Sequence, residues 1–117
     1  LAVGVASDKV VNSYKPNMPV VPLDQRIEML RALSCVDIVR PYYQLEYVSG
    51  CRELNADIFV IGEDWGAKSH NIEVETYLRT RGKKIVQVSY NPRTSSTSIK
   101  RKTVDQSRTN QIEQAVA

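Results

Sequence analysis

Two apolar runs, Leu1-Ala2-Val3-Gly4-Val5-Ala6 and Ile58-Phe59-Val60-Ile61, carry no polar side chain at any position. A strand with one wet face alternates apolar and polar residues, whereas a strand covered on both faces reads as an unbroken apolar run. Runs of this kind restrict the chain to a sheet held between helices. They favour parallel strands, because the crossover helices that join such strands also supply the cover.

Residues 36–40 and 84–90 read as two further strands, the last ended by Asn91-Pro92. Helical spacing recurs between them. Over 23–33, Ile27, Leu30 and Leu33 share a face, with Pro22 suited to a first turn and Asp24 placed to complement the helix dipole. Residues 43–55 predict a second helix, weakened by Gly50, and 71–81 a third, stopped by Gly82 with Arg79 and Arg81 in its last turn. Another helix starts near Ser96 and runs through Lys102. The alternation predicts an α/β fold, a three-layer sandwich around a parallel sheet. The order begins strand, connection, helix, where a right-handed crossover fold normally has another strand and helix ahead of it. The expected fold therefore lacks its first strand and helix.

Residues 7–22 read as a long polar connection, since Pro16, Pro19 and Pro22 oppose both helix and central strand. Connections of this length in a compact domain are often functional. Beyond Lys102 the chain is polar, with too little apolar area to offset the entropy of ordering, so a frayed tail is expected. The expected organisation is one domain over 1–102 and a flexible tail over 103–117.

The formal net charge is +3, and the segment after residue 92, with five basic and two acidic side chains, accounts for it. Such a cluster suits the phosphates of a small ligand. It lacks the interleaved aromatics of a single-strand nucleic-acid binder, so no nucleic-acid partner is expected. No apolar stretch approaches the roughly 20 residues that span a bilayer, and no membrane partner is expected. Cys35 and Cys51 are isolated thiols without CxxC spacing, read as buried, reduced cysteines of a cytoplasmic protein with no metal site.

Chemistry-bearing residues gather in two places. Gly62-Glu63-Asp64-Trp65 follows the apolar run at 58–61, bringing a glycine and two carboxylates to the end of a strand, where α/β folds bind ligands. Arg93-Thr94-Ser95-Ser96-Thr97-Ser98-Ile99-Lys100 stacks hydroxyls at an expected helix start, whose unpaired N–H groups and dipole favour anions. An ordinary N-cap in a serine-rich loop would read the same way. Adjacent carboxylates on an extended chain point apart, which argues against a glycosidase pair at Glu63 and Asp64.

Residues 57–65, Asp-Ile-Phe-Val-Ile-Gly-Glu-Asp-Trp, resemble the DxFVxGDDW segment of the cytidylyltransferase family, most of all its glycerol-3-phosphate members. The run from Arg93 to Lys100 is similar to that family's RTxGISTTxIK signature, though about three residues shorter between the Arg-Thr pair and the hydroxyls. Leu1 to Ser7 resembles LVVAVSTD, Pro22 to Arg26 resembles PxxxR, and residues 33–39 resemble RYVDEV. The similarity covers residues 1 to about 102, with every element in family order.

This resemblance implies a Rossmann-like nucleotidyltransferase fold and transfer of CMP from CTP to a phosphorylated alcohol, glycerol 3-phosphate first, with release of pyrophosphate. It implies Mg2+ accompanying the nucleotide, and a homodimer with residues 35–39 near the contact. Lys15 and Arg26 fall where the family has phosphate-binding cations, and are carried over as catalytic. Gly62, Glu63, Asp64, Arg93, Thr94, Ser95, Ser96, Thr97 and Ser98 are carried over as nucleotide-binding. A solvated loop lysine and a surface ion pair of Arg26 with Asp24 or Glu28 are the plainer accounts of those two cations. The family's HxGH motif has no counterpart in residues 1–117, and His70 is expected to be a solvent-exposed histidine in a different loop. The alternative reading is a catalytically inactive nucleotide-binding or dimerisation domain.

Overall fold

The computed structural model describes residues 1–63, 65–89, 91, 93 and 95–116. It begins with strand β1 (Ala2–Ala6) and helix α1 (Asp8–Tyr14). The connection expected over 7–22 is thus helical in its first half. Ser7 caps α1, its hydroxyl accepting from the Val10 amide at 3.3 Å, and Asp8 stands in the first turn. The prolines that argued against helix all lie beyond Tyr14.

Helix α2 (Leu23–Arg31) starts directly after Pro22, as its spacing predicts. Strand β2 (Ile38–Tyr42) lies two residues later than expected and absorbs Pro41. Helix α3 (Val48–Leu54) is confined to the second half of the segment assigned to it, and Asn55 ends it with a left-handed φ of 47°. Gly50 has a packing reason. A Cβ there would come within 3.3 Å of an Arg40 guanidinium nitrogen, and Arg40 Nε donates to Glu53 at 2.7 Å. Strand β3 (Ile58–Gly62), helix α4 (Ser69–Arg79) and strand β4 (Lys84–Val88) follow, with Gly82 at φ 68° turning the chain between α4 and β4.

Helix α5 (Ser96–Val116) carries on through the stretch expected to fray. Residues 103–116 contain no glycine or proline, and their Arg, Gln, Glu and Ala are good helix formers, so a capped start can propagate without a packed face. The described side chains of α5 from Ile99 onward are all exposed.

The expected parallel pairing holds, but the strands form two sheets. β1 pairs with β2 from Ala2 opposite Ile38 to Ala6 opposite Tyr42, and β3 pairs with β4 from Ile58 opposite Lys84 to Gly62 opposite Val88. The tightest core lies between α3 and α4, where Val48, Cys51, Val74 and Leu78 are buried and Phe59 and Ile85 of the second sheet pack beneath them. Val74 and Leu78 are almost completely sequestered, each worth about 1.5–3 kcal/mol. The other face of β3 and β4 is uncovered: Ile58, Val60, Val86 and Val88 are each at least 43% exposed.

Tyr47 ties the two sheets. Its ring lies 5.8 Å from that of Tyr42, which closes β2, and 5.9 Å from that of Trp65, just past the end of β3. The same ring lies 5.6 Å from Phe59, so Tyr47 bridges the end of β2 and one face of β3. Among the described residues no helix is long and apolar enough to cross a membrane.

Candidate functional site

In parallel α/β folds, ligands bind beyond the carboxyl ends of the strands. At the end of β1, Arg26 reaches back from the first turn of α2. Its Nη1 donates to the Ala6 carbonyl at 2.8 Å, its Nε to the Val21 carbonyl at 2.9 Å, and its Nη2 pairs with Asp8 at 2.5 Å. The ion-pair partner is thus Asp8, and neither Asp24 nor Glu28. The planar fork satisfies three oxygens from β1, α1 and the loop before α2. Lys15, at the end of α1, is exposed at the start of that loop.

At the end of β3, Gly62 closes the strand and the Glu63 amide donates to the Val88 carbonyl at 3.0 Å, holding β4 beside it. Asp64 lies outside the described residues. Trp65 then turns inward, its ring 23° from parallel with Tyr47 and edge-on to Phe59. Asn71, 3% exposed in the first turns of α4, pins this corner: its amide donates to the Trp65 carbonyl at 2.5 Å and the Gly66 carbonyl at 3.0 Å. Gly66 takes φ 69°, a conformation that L side chains resist.

His70 is half-buried, correcting the expectation of an exposed side chain. Its ring meets Tyr47 edge-on at 5.6 Å. Burial, reinforced by the neighbouring phenols of Tyr47 and Tyr14, pushes the Tyr42 hydroxyl far above the ordinary tyrosine range. Burial also raises Tyr47 and, with a contribution from Glu46, the thiol of Cys51. Cys51 is buried as expected, whereas Cys35 is exposed.

The hydroxyl run opens α5. Ser95 is the cap: its hydroxyl accepts from the Ser98 amide at 3.0 Å and its carbonyl from the Ile99 amide at 3.0 Å. Ser96 and Thr97 occupy the first turn and are exposed. The Arg93 amide donates to the Asn91 side chain at 3.0 Å, a local turn, and the Arg93 side chain is exposed. Thr94 lies outside the described residues.

Two cavities flank the core between α3 and α4. One, of about 710 Å³, lies between β1, β3 and α3, and the other, of about 520 Å³, lies among Trp65, α4 and β4. Neither is lined by Lys15, Arg26, Gly62, Glu63, Arg93 or residues 95–98. Among the described residues no three His, Cys, Asp or Glu side chains gather as a metal site.

Sequence reasoning missed Asp8, Asn71 and Tyr47. Asp8 carries a readable signal, a carboxylate directly after an apolar strand. Asn71 and Tyr47 have none, because their roles are set by a backbone turn and by the meeting of two sheets. The family model for cytidylyltransferase-like proteins matches residues 1–102. A search of curated proteins finds no match to this chain.

Proposed function

Because the chain belongs to the cytidylyltransferase-like family, which matches it over residues 1–102, we propose that it takes part in transfer of CMP from CTP to a phosphorylated alcohol, glycerol 3-phosphate first. An acceptor phosphate oxygen bonds to the α-phosphorus of the nucleotide while the bond to the β-phosphate oxygen breaks. The electron pair leaves with pyrophosphate. Charge grows on the leaving oxygens, so fixed cations and N–H donors supply most of the stabilisation.

The family match is the observation that carries this reading, and the local structure supports it with suitable parts. Lys15 is an exposed compact charge that can follow a moving phosphate. Arg26, held by Asp8 and the Ala6 carbonyl, orders the end of β1 beside it. Ser96 and Thr97 present hydroxyls and first-turn amides on a capped helix of 21 residues, a setting that favours phosphate oxygens. Gly62 allows close backbone approach at the end of β3, with Glu63 next to it. Magnesium in this reading arrives on the triphosphate, as is usual for an ion that keeps its waters and few protein ligands. His70, packed against Tyr47, is assigned no role in the transfer. The same reading makes the protein a homodimer with residues 35–39 near the contact.

Calorimetric titration with CTP, ATP and GTP in magnesium tests the proposal. CTP is expected to bind more tightly than the other two. Arg93→Ala and Thr97→Ala should each weaken it about tenfold or more, the worth of a hydrogen bond to a charged group. Equal, negligible heats for all three nucleotides would defeat the reading.

A further inference from the structure

Two guanidiniums share one aromatic ring near the carboxyl end of α4. The Cζ of Arg52, in the last turn of α3, lies 5.4 Å from the ring centroid of Tyr77, and that of Arg81, just past α4, lies 3.8 Å from it. The electron-rich face of a phenol attracts such cations. The ring itself is held from beneath, because Tyr77 packs against the core of Val48, Cys51, Val74 and Leu78. Arg81 is fixed further by its Nη1, which donates to the Tyr77 carbonyl and to the Thr80 hydroxyl, each at 3.3 Å. Among the described residues its Nε and Nη2 have no acceptor, and neither has any donor of Arg52.

Positive charge is left over at this place. Arg26, Arg40, Arg79 and Lys83 each pair with a carboxylate, whereas among the described residues none pairs with Arg52 or Arg81. Glu73, one turn before Tyr77 on α4, pairs with neither. Both cations are drawn to one ring, where they repel each other at short range. The carbonyl ends of α3 and α4 carry about half a negative charge each, and the two full cations outweigh them. An anion bound by both guanidiniums relieves the repulsion, and each presents the planar fork that matches an oxyanion. A single carboxylate balances only one of them. A phosphate monoester carries about −1.5 to −2 at neutral pH and so balances both.

We propose that Arg52 and Arg81, set on Tyr77, form a binding site for the phosphoryl group of a small phosphate monoester. Neither of the two cavities is lined by Arg52, Tyr77 or Arg81, so the surface there offers no groove to seat a polypeptide. The phosphoryl group itself is what the site recognises. Arg52 lies just ahead of β3 and Arg81 just ahead of β4, which puts the site at the amino ends of these strands. Gly62 closes β3 at its other end, a five-residue strand away, about 17 Å. The site is therefore separate from the nucleotide-binding residues, and the inference does not depend on the nucleotide reading.

The arginine Nε–H signals of the whole 117-residue chain, followed by NMR during titration with glycerol 2-phosphate at constant ionic strength, test it. Those of Arg52 and Arg81 should move together and saturate. That of Arg31, exposed on α2 and paired with no described carboxylate, should stay in place. Arg52→Gln and Arg81→Gln should each weaken binding about fivefold or more, less than an enclosed charged hydrogen bond contributes because solvent screens the site. Both side chains are exposed, so the folded spectrum should persist, and Arg31→Gln should leave binding unchanged. Acetate at the same ionic strength should give no saturating shift. Movement that never saturates, an equal response to acetate, or equal weakening by Arg31→Gln overturns the proposal. So do shifts confined to residues other than Arg52 and Arg81, an outcome that leaves the nucleotide reading standing. A phosphoserine peptide that binds more than about tenfold tighter than glycerol 2-phosphate would overturn the assignment to a small molecule.

Discussion

Arg26 Nη1 donates to the Ala6 carbonyl at 2.8 Å, across 20 residues of sequence, and so fastens the start of α2 to the end of β1. Its Nη2 holds Asp8 at the start of α1, which makes one guanidinium common to three elements. Arg26→Lys keeps the charge but not the fork. It should destabilise the protein by about 1–3 kcal/mol in urea unfolding. Asp24→Ala, at the carboxylate that does not pair with Arg26, should stay within about 0.5 kcal/mol. Equal effects of the two would show that the three-way clamp adds nothing.

Asn71→Ala removes both donors that hold the Trp65 and Gly66 carbonyls. The buried site leaves those carbonyls without a replacement, at a cost of about 1–3 kcal/mol. The corner after β3 should loosen, and Trp65 emission should shift to the red as water reaches the indole. A native-like spectrum together with unchanged stability would contradict the assigned role.

Tyr42 favours its protonated form in the fold more than in the unfolded chain. A raised phenol contributes stability that is complete below the unfolded value of about 10 and is lost as pH rises above it toward the folded value. Melting temperature should therefore fall on the alkaline side of pH 10. Tyr42→Phe should flatten that decline, Tyr47 retaining a smaller part of it. Melting scans of both proteins between pH 8 and pH 11, limits set around the free phenol value, supply the comparison.

The two thiols should separate cleanly under a disulfide reagent. Cys35 is exposed, while Cys51 is buried and its thiol raised, so the folded protein should react at one site and the unfolded protein at both. Mass mapping of the modified residue reads the result. Early labelling of Cys51 would mean that the contact between α3 and α4 opens readily.

Much of the fold was legible because its signals are local. Apolar runs marked β1 and β3, and the spacing of Ile27 and Leu30 after Pro22 placed α2. Helix α1 was hidden by prolines that lie just past it, and the late start of α3 by a segment that reaches Tyr47 before it turns helical. The division into two sheets was not legible, since pairing depends on which edges meet in space. At the candidate site the cap at Ser95 and the strand end at Gly62 follow from residue type. The partner of Arg26 does not, because sequence neighbours Asp24 and Glu28 looked nearer than Asp8, which a loop brings round.

Trp65 is the sole indole of the chain, and it lies face to face with Tyr47 at the seam of the two sheets. The molecule thus carries a built-in optical gauge: emission from one chromophore reports whether the halves are joined or have drifted apart, with no label attached.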